Sequence, residues 1–374
     1  MPRVLLLGHG FMGRAHAHAY NAAPEFFDLT ERPELSLVYG RDTNSLRSFA
    51  SHFGFKGITS ELENALNSSS YDILDNCLPN HLHAKPTIAA LNNGKSVLVE
   101  KPMALDVEEA QEMVKAYERA GKGVKAMVGF NYRFLPAIAL AKQLINDGKI
   151  GNVTEFRAAY LHESLARPNA TAGWRQQREY AGTGALGDLG SHVIDMARYL
   201  VGEIKDVVAK LDVHRPELAS STGEKLKVTV DDAFRSLVNF TGGATGVIEA
   251  SKVAPGMRNS FRFDVHGEKG TISFNLERPN ELQLFSFGED FSVQGFNTIL
   301  AAGPSYPHSG GFWPEGHVLG WEHSVMIEVA HFVKSVEEDL PVEPGASLRD
   351  GLAVQKVIEA MQRSSETGTW IPVH

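Results

Sequence analysis

Over the first 130 residues short apolar runs alternate with stretches of helical period, and no other feature of the chain limits its fold as tightly. The runs are RVLLLG (3–8), LSLVYG (35–40), YDILDNCLP (71–79), KSVLVE (95–100) and VKAMVGF (124–130). Their apolar residues come in blocks instead of alternating with polar ones, as strands covered on both faces require. Helical patterns over 12–22, 43–53, 81–93 and 106–119 lie between them. A parallel, doubly wound sheet with helices on both faces satisfies both facts.

The pattern changes near residue 150. Strand-like stretches then follow one another at 153–161, 205–213, 228–240, 244–252, 261–266, 270–275 and 281–287, separated by turns such as TGGATG (241–246). An α/β domain with an open, mainly antiparallel sheet is expected there. Residues 288–320 read as a long Gly/Pro/aromatic loop, and helical patterns over 321–337 and 347–364 close the chain. The expected division is residues 1–130 and 131–374, and a chain of 374 residues can bury a core in each.

Composition removes several classes of function. The net charge is −9 with no Lys/Arg cluster, which argues against nucleic acid or an anionic membrane as partner. Cys77 is the only cysteine, so neither an intrachain disulfide nor a thiolate metal cluster can form. The first residues enter a strand without the charged-then-apolar pattern of a signal peptide, and no apolar run is long enough to span a bilayer; a cytoplasmic protein is expected.

Between the first strand and its helix stand Gly8, Gly10 and Gly13. In a strand–turn–helix setting this G-x-G-x-x-G spacing permits a tight turn, backbone approach to a pyrophosphate and close helix–strand packing, as in a Rossmann dinucleotide domain. His9, His16 and His18 lie nearby without a partner cysteine or second carboxylate cluster, so no metal is expected and His16 should pack at the start of the helix. The second strand ends in Tyr39-Gly40-Arg41-Asp42, with glycine where an NAD-holding acid is usual. Arg41 could meet a 2′-phosphate, lie along the adenine, or pair with Asp42 in solvent. Both NAD and NADP should then bind, with no more than about tenfold discrimination.

Two further motifs point to acid–base chemistry. VLVEKPMAL (97–105) puts Glu100-Lys101-Pro102 at the carboxyl end of a parallel strand, the edge at which open sheets bind ligands. A lysine there can hold a hydroxyl or move its proton, although a Glu-Lys pair can also be a surface ion pair. In GTGALGDLGSHVIDMARYLVG (182–202), helical spacing puts Val193, Ile194, Met196, Ala197, Leu200 and Val201 on one apolar face, and Asp188, His192, Asp195 and Tyr199 in a stripe opposite. Asp188 could simply cap the helix. A solvated face, however, would carry Lys or Glu. A carboxylate one turn from a histidine fixes its tautomer, and a helix N-terminus favours the neutral ring, which suits a general base acting on an alcohol.

Together with LPNHLHA (78–84) and GFNYRF (129–134), these motifs resemble the glucose–fructose oxidoreductase/inositol dehydrogenase/MocA (Gfo/Idh/MocA) family over nearly the whole chain. GFMGRAHAHAY, GALGDLGSHVIDMARYLVG and ERPNELQLF are most similar to its bacterial inositol, levoglucosan and related sugar dehydrogenases. The resemblance implies NAD or NADP as cofactor and a sugar, anhydrosugar or inositol-like polyol as substrate. The exposed face of the open sheet would need covering, so a homo-oligomer through the sheets, a dimer or tetramer, is expected. Lys101, Asp188 and His192 would be catalytic: His192 takes the hydroxyl proton, Lys101 positions or relays it, and Asp188 holds the substrate and the imidazole. Gly8, Gly10, Phe11, Met12, Gly13, Arg41, Asp42, Pro79, Asn80, His83, Glu100, Lys101 and Asn131 would line the cofactor. Tyr132, Arg133, Trp174 and Arg175 would join Asp188 and His192 around the substrate, with Trp174 either a sugar-stacking ring or a buried anchor. Trp313, His317 and His323 could reach the pocket or a neighbouring subunit. Two other functions fit the same frame: a redox-assisted glycosidase without net NADH production, and a dinucleotide-sensing regulator, which would not need the Lys101, Asp188, His192 set.

Overall fold

The opening run forms the strand Arg3–Leu7, and its Val4, Leu5, Leu6 and Leu7 are wholly buried, as a central parallel strand demands. The structure, a computed structural model, describes residues 1–220, 222–288 and 291–374. The chain divides into two units: Met1–Phe134 with Gly320–Leu352, and Leu135–Leu319 with Ala353–His374.

In the first unit the described residues form a seven-stranded sheet. Its order is Ala346–Ser347, Ala126–Gly129, Ser96–Glu100, Ile73–Asn76, Arg3–Leu7, Glu34–Tyr39, Gly57–Thr59. The Ala346–Ser347 edge is antiparallel, and every other pairing is parallel. This is the doubly wound Rossmann order, with its switch point beside Arg3–Leu7. Helices Phe11–Ala22, Thr43–Phe53, Ala84–Asn92 and Val107–Ala120 join the strands, close to their predicted bounds.

The differences have local causes. The run 71–79 is a strand only over Ile73–Asn76, because Asn76 then turns inward. Its Nδ2 donates to the His83 carbonyl at 3.1 Å and its Oδ1 accepts the Leu78 N–H at 3.3 Å. The strand Gly57–Thr59 and helix Leu62–Leu66 are too short to show a period. Helix Glu322–Glu337 lies late in the chain but packs on Phe11–Ala22 in the first unit, with His331 against the Phe134 ring at 5.3 Å.

In the second unit the described residues form a nine-stranded open sheet. The order is Asn297–Leu300, Glu281–Ser286, Gly270–Asn275, Ser260–Gly267, Val153–Leu161, Thr245–Ser251, Ala233–Phe240, Ile204–Asp212, Ile371–Pro372. Thr245–Ser251 runs parallel to Val153–Leu161, and the other pairs are antiparallel. Alternate residues face the core, where Phe263 meets Phe261 at 6.1 Å and Phe274 at 5.2 Å. Each such buried ring contributes about 2–3 kcal/mol of apolar burial. The run 228–240 becomes strand only at Ala233, since the carboxylates of Asp231 and Asp232 accept backbone N–H groups from other segments. The expected loop 288–320, of which residues 289 and 290 lie outside the described residues, contains the strand Asn297–Leu300. Helix Pro136–Asn146 and the hairpin Glu217–Ala219/Lys225–Lys227 were not predicted, and Leu348–Thr367 extends the last helix. No helix among the described residues is long and apolar enough to cross a membrane.

Candidate active site

Helix Phe11–Ala22 begins at Gly10, which has no side chain to cap it, and a Cβ at Gly10 would meet nothing within 4 Å. The protein's own packing therefore does not need glycine here. Uncapped amides at a helix N-terminus, at the switch point of a parallel sheet, fit the pyrophosphate of a dinucleotide. Phe11 is 71% exposed and stacks on Trp321 at 5.3 Å. Asp42 caps the next helix, its Oδ1 accepting the Asn44 N–H at 3.1 Å, and Arg41 is exposed.

One turn into the first helix the structure departs from a simple packing role for His16. The ring is wholly buried, with Nδ1 2.8 Å from Asp75 Oδ2 and Nε2 3.1 Å from Glu100 Oε1. Two carboxylate partners make both nitrogens donors, so the ring is an imidazolium. Burial opposes that charge, but the Asp75 carboxylate and then Cys77 outweigh it and hold the His16 pKa well above its ordinary value. Burial likewise works against the Glu100 charge, and the His16 hydrogen bond holds its carboxyl below the usual range. Cys77 brings a third possible metal ligand within 4.8 Å of His16 and Asp75. With both ring nitrogens directed at carboxylates, the cluster is satisfied as an ion network. Glu100 Oε2 accepts the Lys101 N–H at 3.1 Å, so the network fixes the backbone from which Lys101 projects. The Glu-Lys pair of the sequence is thus anchored inside, through histidine.

The loop beside it is braced as well. His83 is buried, with Nδ1 2.9 Å from the Pro102 carbonyl and Nε2 2.7 Å from the Leu78 carbonyl. Burial lowers its pKa against the pull of those carbonyls. The ring sits between the Pro79–Asn80 turn and Lys101–Pro102, with its one N–H for one of the two carbonyls. Asn131 donates to Ser324 Oγ at 2.7 Å. Arg133 donates to the Pro344 carbonyl at 3.2 Å and lies 3.7 Å from Asp350; Tyr132 is buried. His323 accepts the Gly320 N–H at 3.0 Å.

In the second unit the turn before helix Ser191–Leu200 is a π-helical segment, Leu186–Gly190, an irregularity common at functional sites. Buried Asp231 seats it: Oδ1 accepts the Gly184 N–H at 2.8 Å and Oδ2 the Leu186 N–H at 2.7 Å. Burial pushes the Asp231 carboxyl up, against these two bonds. Asp188 does not cap the helix. Its carboxylate instead pairs with the buried Lys252 ammonium at 2.9 Å. His192 and Asp195 are buried, and the His192 ring lies 5.9 Å from that of Tyr160, whose hydroxyl donates to Asn259 Oδ1 at 2.7 Å. Tyr199 receives the Lys142 ammonium at 5.4 Å. Arg175 lies over the Trp174 ring at 4.3 Å. Trp313 is 53% exposed, and His317 faces the Pro314 carbonyl at 2.9 Å.

Residues 2–130 match the oxidoreductase family with an NAD-binding Rossmann fold, and residues 138–273 match the GFO/IDH/MocA C-terminal domain. The chain belongs to the GFO/IDH/MocA oxidoreductase family. Levoglucosan dehydrogenase of Pseudarthrobacter phenanthrenivorans is 38% identical, over 98% of this chain and 97% of the relative. The solved structure of levoglucosan dehydrogenase in complex with NADH superposes with a TM-score of 0.95 at 38% identity, covering 100% of this chain and 99% of that one. An NAD-binding oxidoreductase from Klebsiella pneumoniae gives 0.93 at 36% identity, over 100% and 99%. The resemblance read from the motifs is confirmed, and so are the α/β fold with its Rossmann domain, the enzyme class and the nicotinamide cofactor. Two charged groups of this GFO/IDH/MocA chain escaped the motif reading. Lys252 stands 64 residues from Asp188, and Asp231 stands 47 and 45 residues from Gly184 and Leu186, whose amides it holds, so no periodicity links them. The only hint is a lysine directly after the apolar-rich strand, in EASKV (249–253).

Proposed function

We propose that this enzyme oxidises a secondary hydroxyl of a small sugar, with levoglucosan the first candidate, and passes the hydride to NAD. The observation that carries the reading is the Asp188 carboxylate, held in place by buried Lys252 one helical turn before His192. Bound nicotinamide supplies the hydride acceptor. His192 takes the hydroxyl proton, and a nearby fixed carboxylate favours the imidazolium that results. The Asp188 side chain is 31% accessible and receives a neighbouring sugar hydroxyl. Lys101, on the backbone held by Glu100 and His16, positions and relays the proton. Gly10 and the first helix N-terminus hold the pyrophosphate. Trp174, with Arg175 against its face, offers a ring for the apolar side of the sugar. The full proton-handling set favours a dehydrogenase over a dinucleotide sensor.

The same reading includes a homo-oligomer. Leu237 and Val247, cross-strand partners on the open sheet, are 49% and 36% exposed, an apolar pair that a second copy would cover. Light scattering at micromolar protein checks this, and a monomer would contradict it.

A panel of levoglucosan, inositols and aldoses with NAD, followed by the near-ultraviolet absorbance of reduced nicotinamide, tests the substrate class. Levoglucosan or a similar anhydrosugar should support turnover, and no reduction with any member would overturn the reading. His192→Ala and Lys101→Ala should each lower kcat by about a hundredfold or more, the usual scale for an acid–base group. Wild-type kcat in His192→Ala would remove histidine from the role of base.

A further inference from the structure

The end of the second strand, where dinucleotide-binding chains carry the acid that holds the adenosine ribose, is Gly40 in this protein. The structure shows what replaces the acid. A Cβ on Gly40 would lie 2.6 Å from His9 Cε1 and overlap His9 Nδ1. The His9 ring therefore occupies the place of a side chain at residue 40. It is held there: His9 Nε2 lies 3.0 Å from Ser45 Oγ, and Phe49 meets the ring edge-on at 5.9 Å. The Ser45 hydroxyl donates to the Asp42 carbonyl at 3.2 Å, so its oxygen accepts from Nε2–H. With Nε2–H on Ser45, the tautomer that leaves Nδ1 a lone pair presents it as an acceptor. The nearby Asp42 carboxylate caps the following helix, and Arg41 adds a cation at the same strand end.

We infer that His9, seated on Gly40 by Ser45, is the residue that reads the adenosine ribose and sets the choice between NAD and NADP. Its Nδ1 accepts from a ribose hydroxyl as a carboxylate would, without the negative charge that excludes a 2′-phosphate. This rests on the nicotinamide-dehydrogenase reading above. It predicts an enzyme that binds both dinucleotides, and it makes His9 and Gly40 a coupled pair: an acid can enter at residue 40 only when the ring leaves.

Calorimetric titration of NAD and NADP into wild type, His9→Gly, Gly40→Asp and the double variant tests the pair, with thermal melts of each protein as the folding control. Wild type should bind both within about tenfold of each other. His9→Gly should weaken NAD about fivefold, the scale of one hydrogen bond, whereas His9→Asn, which keeps an acceptor, should lose about half of that or less. Gly40→Asp alone should weaken both dinucleotides about tenfold or more, because the ring is forced from its seat. The double variant should recover wild-type NAD affinity and bind NADP about a hundredfold more weakly, through repulsion between the new carboxylate and the 2′-phosphate. A Gly40→Asp protein that already shows the NAD preference of the double variant would overturn the inference, as would a His9→Gly protein that binds both dinucleotides like wild type. Wild type binding neither dinucleotide would overturn the dehydrogenase reading itself, whereas dinucleotide binding indifferent to His9 removes only the role given to His9.

Discussion

Two glycine-rich turns lead into the two helices that matter most in this enzyme, and they are filled in opposite ways. The turn at 182–190 is filled from within. A Cβ at Gly184 would overlap the Asp231 carbonyl, and the Asp231 carboxylate already accepts the amides of Gly184 and Leu186. At the turn at 8–13 no acid among the described residues takes that place: Gly10 faces open space, and its helix is anchored a turn further on, by His16 between Asp75 and Glu100. Glycine richness alone does not separate a ligand cradle from a packing device. What separates them is whether the protein itself supplies the anion at the helix N-terminus.

The largest effect should come from the anchor of the open turn. His16→Ala leaves two buried carboxylates without their cation and should cost about 3–5 kcal/mol of stability, read as the midpoint of chemical denaturation. A loss below 1 kcal/mol, roughly that of a surface site, would mean that His16 is not the anchor. Next is the internal anion of the closed turn. Asp231→Ala strands two amides that bond a carboxylate and should cost about 3 kcal/mol, whereas Asp42→Ala, an ordinary exposed cap, should cost about 1 kcal/mol. Equal losses at the two aspartates would erase the distinction drawn here.

The anchor also has a pH signature. The pKa of His16 is raised above its ordinary 6.5, so its contribution is complete below 6.5 and fades as pH climbs through the raised value. Glu100 is depressed below its ordinary 4.5, so its contribution is complete above 4.5 and fades as pH falls through the lowered value. The stability advantage of wild type over His16→Gln should therefore be flat between pH 4.5 and 6.5 and shrink outside that window. An advantage that instead rises with pH between about 5 and 6.5, as a ring buried in its neutral form requires, would contradict the imidazolium.

How far the sequence disclosed all this follows from the range of each interaction. Strand and helix identity in the first 130 residues was legible because burial on both faces writes continuous apolar runs. The motifs at Gly8–Gly13, Glu100–Lys101 and Asp188–His192 were legible because each is contiguous. What holds those motifs was not. His16 meets Asp75 and Glu100 across 59 and 84 residues, and Gly184 meets Asp231 across 47. Such partners are set by sheet order, which local patterns do not encode. The helix Glu322–Glu337 packs on Phe11–Ala22 for the same reason. Gly40 stood out only as a missing acid; that His9 fills its place required the turn and the second strand to be seen together.

The most direct test of the open turn is the titration of NAD into Gly10→Ala beside wild type, with thermal melts of both. A Cβ at Gly10 meets no protein atom within 4 Å, so the melting temperature should be unchanged. The NAD affinity should fall about tenfold or more, because that Cβ stands where the pyrophosphate must approach the helix amides. Unchanged melting with unchanged NAD affinity would contradict the account, because the turn left open by the fold would then not be where the dinucleotide binds.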